Sequence, residues 1–167
     1  MYIEQIKIDR FAGLAAREYT FGRGVNIIEG DNESGKSTVA AFLRFMFYGF
    51  QSRSGERERY LSLTHGCAAG SLRFQTESGS YRIDRSVYPA SDRRAGQSGV
   101  YRENLAVIDL ATNTPLHNIT QPGEHFFGVS AEVFSSSAFV GQLGQGKLSS
   151  ASLRQAIENI LFSADAD

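Results

Sequence analysis

The stretch from Ile27 to Phe50, IIEGDNESGKSTVAAFLRFMFYGF, runs from an apolar segment through a polar loop into a helical pattern. Val25 to Glu29 reads as a strand ending at Gly30. Lys36 to about Tyr48 contains no Gly or Pro, and Val39, Phe42, Leu43, Phe45, Met46 and Phe47 give it a broad apolar face. Gly49 supplies the stop signal. Between strand and helix, Gly30 is followed by four residues and then by Gly35-Lys36-Ser37, the spacing of a loop that cradles phosphate. The glycines let successive N–H groups turn inward as an anion nest, and the helix behind offers its positive dipole end. In such a loop Lys36 reaches the β- and γ-phosphates, the Ser37 hydroxyl ligates Mg2+, and Thr38 is placed for another phosphate contact. Four fixed positions match by chance with odds on the order of one in a hundred for a chain this long. The flanking strand and helix are the context that the motif requires. The pattern predicts binding of ATP with Mg2+; it does not by itself predict catalysis.

Outward from the loop, Tyr2 to Ile8 alternates apolar and polar residues as a half-buried strand does. Glu18 to Phe21 is a second strand candidate, and Gly22-Arg23-Gly24 the turn after it. The polar run 51–60 reads as a loop or exposed surface. Ser71 to Phe74 and Tyr81 to Val87, separated by TESGS, predict a hairpin. PASDRRAGQSG is a further loop, Leu105 to Leu110 a strand, and ATNTP a turn. Residues 122–129 and 130–137 suggest two short helices broken at Gly128. Ala138 to Gln142 fits a short buried strand, and Ser149 or Ser150 could cap a last helix through Leu161.

The chain has 167 residues, 41% apolar and 21% charged, an ordinary composition for one globular domain. Its net charge of −1 gives no global basic field of the kind a nucleic-acid binder announces. Arg53, Arg57 and Arg59 cluster, but Glu56 and Glu58 interleave with them, as on a solvated face. Cys67 is the single cysteine, so no internal disulfide forms, and no Cys/His pair has zinc spacing. The N-terminus lacks the order of a signal peptide and no apolar run is long enough to span a bilayer, so a cytoplasmic protein without a membrane is expected.

Hydrolysis of a nucleotide usually needs a second acidic site at the end of an apolar strand. Asp109 in LAVIDLATN is the candidate, but Leu110 follows it, and Asp commonly begins turns. His65, His117 and His125 sit at no catalytic or ligand spacing.

The segments MYIEQIKIDRFAGL and YTFGRGVNIIEGDNESGKSTVAAFLRFMFYGF resemble the start of ABC-type ATPase heads in the SMC-like group. That group includes chromosome-maintenance proteins, the double-strand-break repair ATPase and the RecF and RecN proteins. The variant Asn32-Glu33-Ser34-Gly35-Lys36-Ser37-Thr38, with Phe47 to Phe50 closing the helix, is most similar to the YhaN-like AAA family ATPases. The resemblance returns at VSAEVFSSSAFVGQLGQG, where it implies that Gln142 is the Q-loop residue completing the Mg2+ shell, with Gln145 as the rival. It implies an α/β P-loop NTPase, the N-terminal lobe of an ABC-type head, with a mixed sheet plus an antiparallel sheet. Residues 1–150 would form that lobe, and 151–167 the start of a helix leading to a coiled coil. Cofactor contacts would come from Asn32 to Thr38 and Gln142, and metal contacts from Ser37 and Gln142. The implied partners are a C-terminal half, which brings the signature motif, the Walker B acid and the switch His, and a second head. Several relatives have a basic residue after the first Phe; here that position is Ala12, with Arg10 or Arg17 as substitutes near the adenine. Two alternatives stay open: a self-contained P-loop kinase using Asp109 as metal acid and Arg93/Arg94 as a lid, and a module that senses ATP without turnover.

Overall fold

The computed structural model describes residues 1–51, 55–61, 66–90 and 101–138. The chain divides into two compact units, residues 1–122 and 123–167. The first is built on a six-stranded antiparallel sheet in the order β2-β1-β3-β4-β5-β6. Its strands are β1 (Tyr2–Phe11), β2 (Leu14–Thr20), β3 (Ala68–Gln75), β4 (Ser80–Pro89), β5 (Tyr101–Asp109) and β6 (Thr114–Pro115). The helix α1 (Lys36–Tyr48) covers one face, and a one-turn helix α2 (Glu56–Tyr60) follows it. The second unit holds α4 (Ala131–Ala138) and most of α3 (Pro122–Phe127). Gly128, at φ 68°, separates these two helices as its position predicts.

Period-two patterning sets the sheet's two faces. On β4, Tyr81, Ile83, Arg85 and Val87 are buried while Arg82, Asp84 and Ser86 are not. The buried set continues across the register through Leu72 and Phe74 on β3, Ile6 and Ile8 on β1, and Val107 on β5. Val39, Phe42, Phe45, Met46, Phe47 and Tyr48 of α1 complete this core. Each large apolar side chain among them contributes about 1.5–3 kcal/mol of burial. The opposite face is polar and carries the ion pairs Lys7–Asp9 at 3.9 Å and Arg82–Asp84 at 3.0 Å.

Two expectations are corrected. Val25 to Glu29 is not a strand: it pairs with nothing among the described residues, and Val25 and Ile27 are 93% and 77% exposed. Apolar β-branched residues favour an extended backbone, but a strand needs a neighbour to take its hydrogen bonds. The described sheet is therefore antiparallel throughout, and the mixed sheet expected around the phosphate loop is not found among these residues. The run 51–60 is not all loop, because Glu56 anchors α2. Its carboxylate accepts from the Arg44 guanidinium and, at 3.1 Å, from the backbone N–H of Gln51. The expected strand at 138–142 and the last helix lie outside the described residues, apart from Ala138 itself, which closes α4.

Two buried features are costly to alter. Gly70 lies where α1 meets the sheet: a Cβ there would run into the Lys7 carbonyl and lie 2.6 Å from Phe42 Cζ. Arg85 is 2% exposed, and its Nε and Nη2 have no partner among the described residues. Nη1 pairs with Glu103 at 3.0 Å beside Gly49. Burial pushes the guanidinium down from its ordinary value to about 10, with the Glu103 carboxylate acting in the opposite sense.

Gly70→Ala is expected to lower unfolding stability by about 1–3 kcal/mol through overpacking; an unchanged urea midpoint would contradict the close approach. Glu103→Gln should cost about 1–3 kcal/mol, because it weakens a charge-assisted bond of a buried cation. Arg85→Met should leave the midpoint unchanged or raise it, since an apolar side chain of similar length needs no partner there. A large loss in Arg85→Met would show that the ion pair is net stabilising.

Candidate functional site

The loop between Gly30 and Lys36 is folded back on itself. Ser34 donates its N–H to the Asp31 carbonyl at 3.2 Å, and Glu33 sits at φ 68°. A Cβ on Gly30 would lie 2.6 Å from Ser34 Oγ and 3.1 Å from Ser34 Cβ, so a side chain there would crowd Ser34. Gly35 is the N-cap of α1 at φ 94°, in the left-handed region that glycine enters at least cost. It supplies no side-chain cap. The first hydrogen bond of the helix runs from the Val39 N–H to the Gly35 carbonyl at 3.0 Å, which leaves the N–H groups of Lys36, Ser37 and Thr38 without an intrahelical acceptor. Donors of this kind, at the positive end of a helix dipole, make an anion site.

The Lys36 ammonium lies across this opening. It donates to the carbonyls of Gly30 and Asp31, each at 2.7 Å. Both bonds are to neutral acceptors on an exposed loop, so a phosphate oxygen competes well for the same donors through a charge-assisted bond. Ser37 is exposed and Thr38 half-buried just inside the helix, while Asn32, Glu33 and Ser34 are exposed on the loop. Among the described residues no group of three or more acidic, His or Cys side chains could hold a metal ion. One hydroxyl at Ser37 suits Mg2+, which keeps most of its waters and takes further oxygens from phosphate. The donor set thus fits a metal–nucleotide pair rather than an all-protein metal cage.

Other candidates are distributed elsewhere. Asp109 accepts from the N–H groups of Ala111 at 2.8 Å and Thr112 at 3.4 Å with one carboxylate oxygen, which is the turn role expected of it. Arg10 and Arg17 are exposed on β1 and β2, and Ala12 takes φ 49° in the turn between those strands. His117 and His125 are exposed. Gln142, Gln145, Arg93, Arg94, Arg53 and His65 lie outside the described residues. One participant escaped the sequence reading. Leu14 packs against Gly35, with Cδ2 2.7 Å from the position a Cβ would take. Its signal was the Ala12-Gly13 pair that turns the chain back just before it.

Next to the loop, a mostly apolar groove of about 420 Å3 runs along α1, lined by Ile6, Phe21, Ile28, Lys36, Val39 and Leu43 among others. It lies beside the segment Val25 to Glu29, which has no strand partner among the described residues and whose preceding turn is held by Asn26. That side chain donates to the carbonyls of Gly22 and Gly24 at 2.9 and 3.2 Å and accepts from the Gly22 N–H at 3.0 Å.

Comparison with known proteins gives two findings. The family described as AAA domain matches residues 5–160. A DNA double-strand break repair Rad50 ATPase from Thermoplasma volcanium is 25% identical over 142 residues, covering 85% of this chain. The chain spans about 15% of that relative's length. Both findings bear out the resemblance to the N-terminal region of SMC-like ATPases.

Lys36→Met should leave the unfolding midpoint nearly unchanged, because both carbonyls it releases are open to water. Its affinity for MgATP should fall on the order of a hundredfold, the worth of one or two charge-assisted bonds. Calorimetry finding wild-type affinity in a folded Lys36→Met chain would remove the loop from the binding site.

Proposed function

The chain belongs to the AAA domain family, and we propose that it is the ATP-binding, N-terminal half of an SMC-like ABC ATPase head that works in DNA repair or chromosome metabolism. The observation that carries this reading is the Lys36 ammonium, held across an α1 N-terminus that has no side-chain cap. The loop from Asn32 to Thr38 wraps the triphosphate with backbone N–H groups. Lys36 leaves its two carbonyls for the β- and γ-phosphates, and Ser37 gives one oxygen to Mg2+. Gln142 is assigned as the second protein ligand. When bound, Mg2+ neutralises charge on the phosphates; the chain's own residues bind and orient.

Such contacts act mainly on the ground state. Rate acceleration needs groups that act on the transition state, a positioned water and its acid–base partner among them. We assign these to a C-terminal half, together with the signature motif of a second head. The Val25 to Glu29 segment supports that assignment, because exposed apolar side chains beside an apolar groove, with no strand partner among the described residues, are suited to receive a further strand. DNA as a partner rests on the name of the Thermoplasma relative, which is a DNA double-strand break repair ATPase.

The chain alone is expected to bind MgATP and to hydrolyse it at a trace rate, with turnover rising when a C-terminal half is supplied. A steady-state ATPase assay, with and without that half, checks both statements. Brisk turnover by the chain alone, abolished by Asp109→Asn, would point to a self-contained P-loop enzyme instead.

A further inference from the structure

We propose that Leu14 is a positioning residue for the phosphate loop, held in place by the docking of α2 on the β1–β2 turn. The proposal rests on the reading of that loop given above and adds what supports it from beneath. Gly35 has no side chain and receives no side-chain cap bond; its carbonyl is held by the Val39 N–H at 3.0 Å. The three atoms nearest to its absent Cβ all belong to Leu14, at 2.7, 3.4 and 3.5 Å. Leu14 is 9% exposed. Its isobutyl group fills the space on one side of Gly35, and that contact sets how far the loop can sink toward the sheet.

Leu14 is itself placed by a clamped turn. It pairs with Phe11 at the end of the β1–β2 ladder, and Ala12 between them is held at φ 49°. The Ala12 N–H donates to the Tyr60 carbonyl at 2.7 Å. The Tyr60 ring stacks on Phe11, with centroids 5.1 Å apart and planes 13° from parallel. Tyr60 ends α2, and Glu56 at the other end of α2 is tied to Arg44 of α1 and to the Gln51 N–H. A run of contacts thus leads from α2 through the turn to Leu14 and Gly35. Hydrogen bonds from a nest weaken steeply when their angles open. If Leu14 is truncated, Gly35 gains room to move, and the N–H groups aimed at phosphate lose their alignment. The loss appears in nucleotide affinity and not only in folding.

The test is calorimetry of MgATP with the full chain and its variants. Leu14→Ala should weaken binding about tenfold, a typical coupling between contacting elements, and Leu14→Met, of similar volume, should restore it. Tyr60→Ala should weaken binding as well, and the double variant should lose less than the two single losses combined, since both act through one path. Ile83→Ala, a truncation at a buried position on β4, should lower stability and leave affinity unchanged. Equal affinities for Leu14→Ala and Ile83→Ala would overturn the proposal while leaving the phosphate-loop reading intact. Absence of MgATP binding by the wild type would overturn both. If Leu14→Ala fails to fold, Leu14→Val is judged against Ile83→Ala by the same comparison.

Discussion

Phe42 reaches the sheet because Gly70 has no side chain, and this close approach fixes where α1 lies. From that contact the apolar side of the helix spreads over β1, β3 and β4, with Phe45, Met46, Phe47 and Tyr48 buried in its last turns. A helix anchored so firmly at its C-terminal end has a well-defined N-terminus. There the N–H groups of Lys36, Ser37 and Thr38 meet the loop, and Leu14 supports Gly35 from the β1–β2 turn. Core packing and binding geometry are therefore one problem: the apolar face of α1 aims its polar end.

The aromatic cluster around Phe11 ties these parts together. Its ring lies 5.3 Å from those of Phe42 and Phe45 and 5.1 Å from that of Tyr60. Aromatic pairs at such distances add about 0.5–1.5 kcal/mol each beyond their burial. Phe11 thereby joins α1, α2 and the turn that carries Leu14. Arg85 departs from the apolar pattern on the same sheet face. Its guanidinium sits 5.9 Å from the Phe45 ring centroid and beside Gly49, where the helix ends.

Much of this was legible in the chain. Local signals dominate α1, whose bounds follow from the Gly35 and Gly49 brackets and an uninterrupted apolar face. The β3–β4 hairpin and the Gly128 break follow from alternation and turn residues in the same way. That Val25 to Glu29 has no strand partner among the described residues was not legible, because composition records a preference for extension and not the presence of a neighbour. The α2 turn was missed for a related reason. Its five residues ERERY are all polar or amphipathic, and Glu56 holds them through partners at Arg44 and Gln51, outside the turn itself. In the candidate site, the motif marked Gly30, Gly35, Lys36 and Ser37. The part played by Leu14 depends on a contact across 21 positions of sequence, which no local pattern encodes.

Whether the Gly30–Thr38 loop receives phosphate through its N–H groups is decided most directly by amide chemical shifts of the isotope-labelled chain during titration with MgATP. The largest changes are expected at Gly35, Lys36, Ser37 and Thr38, with little change at Asp84 or Ala106 on the opposite face of the sheet. Saturating nucleotide that leaves the loop amides unmoved, or shifts centred on that opposite face, would contradict this placement of the site.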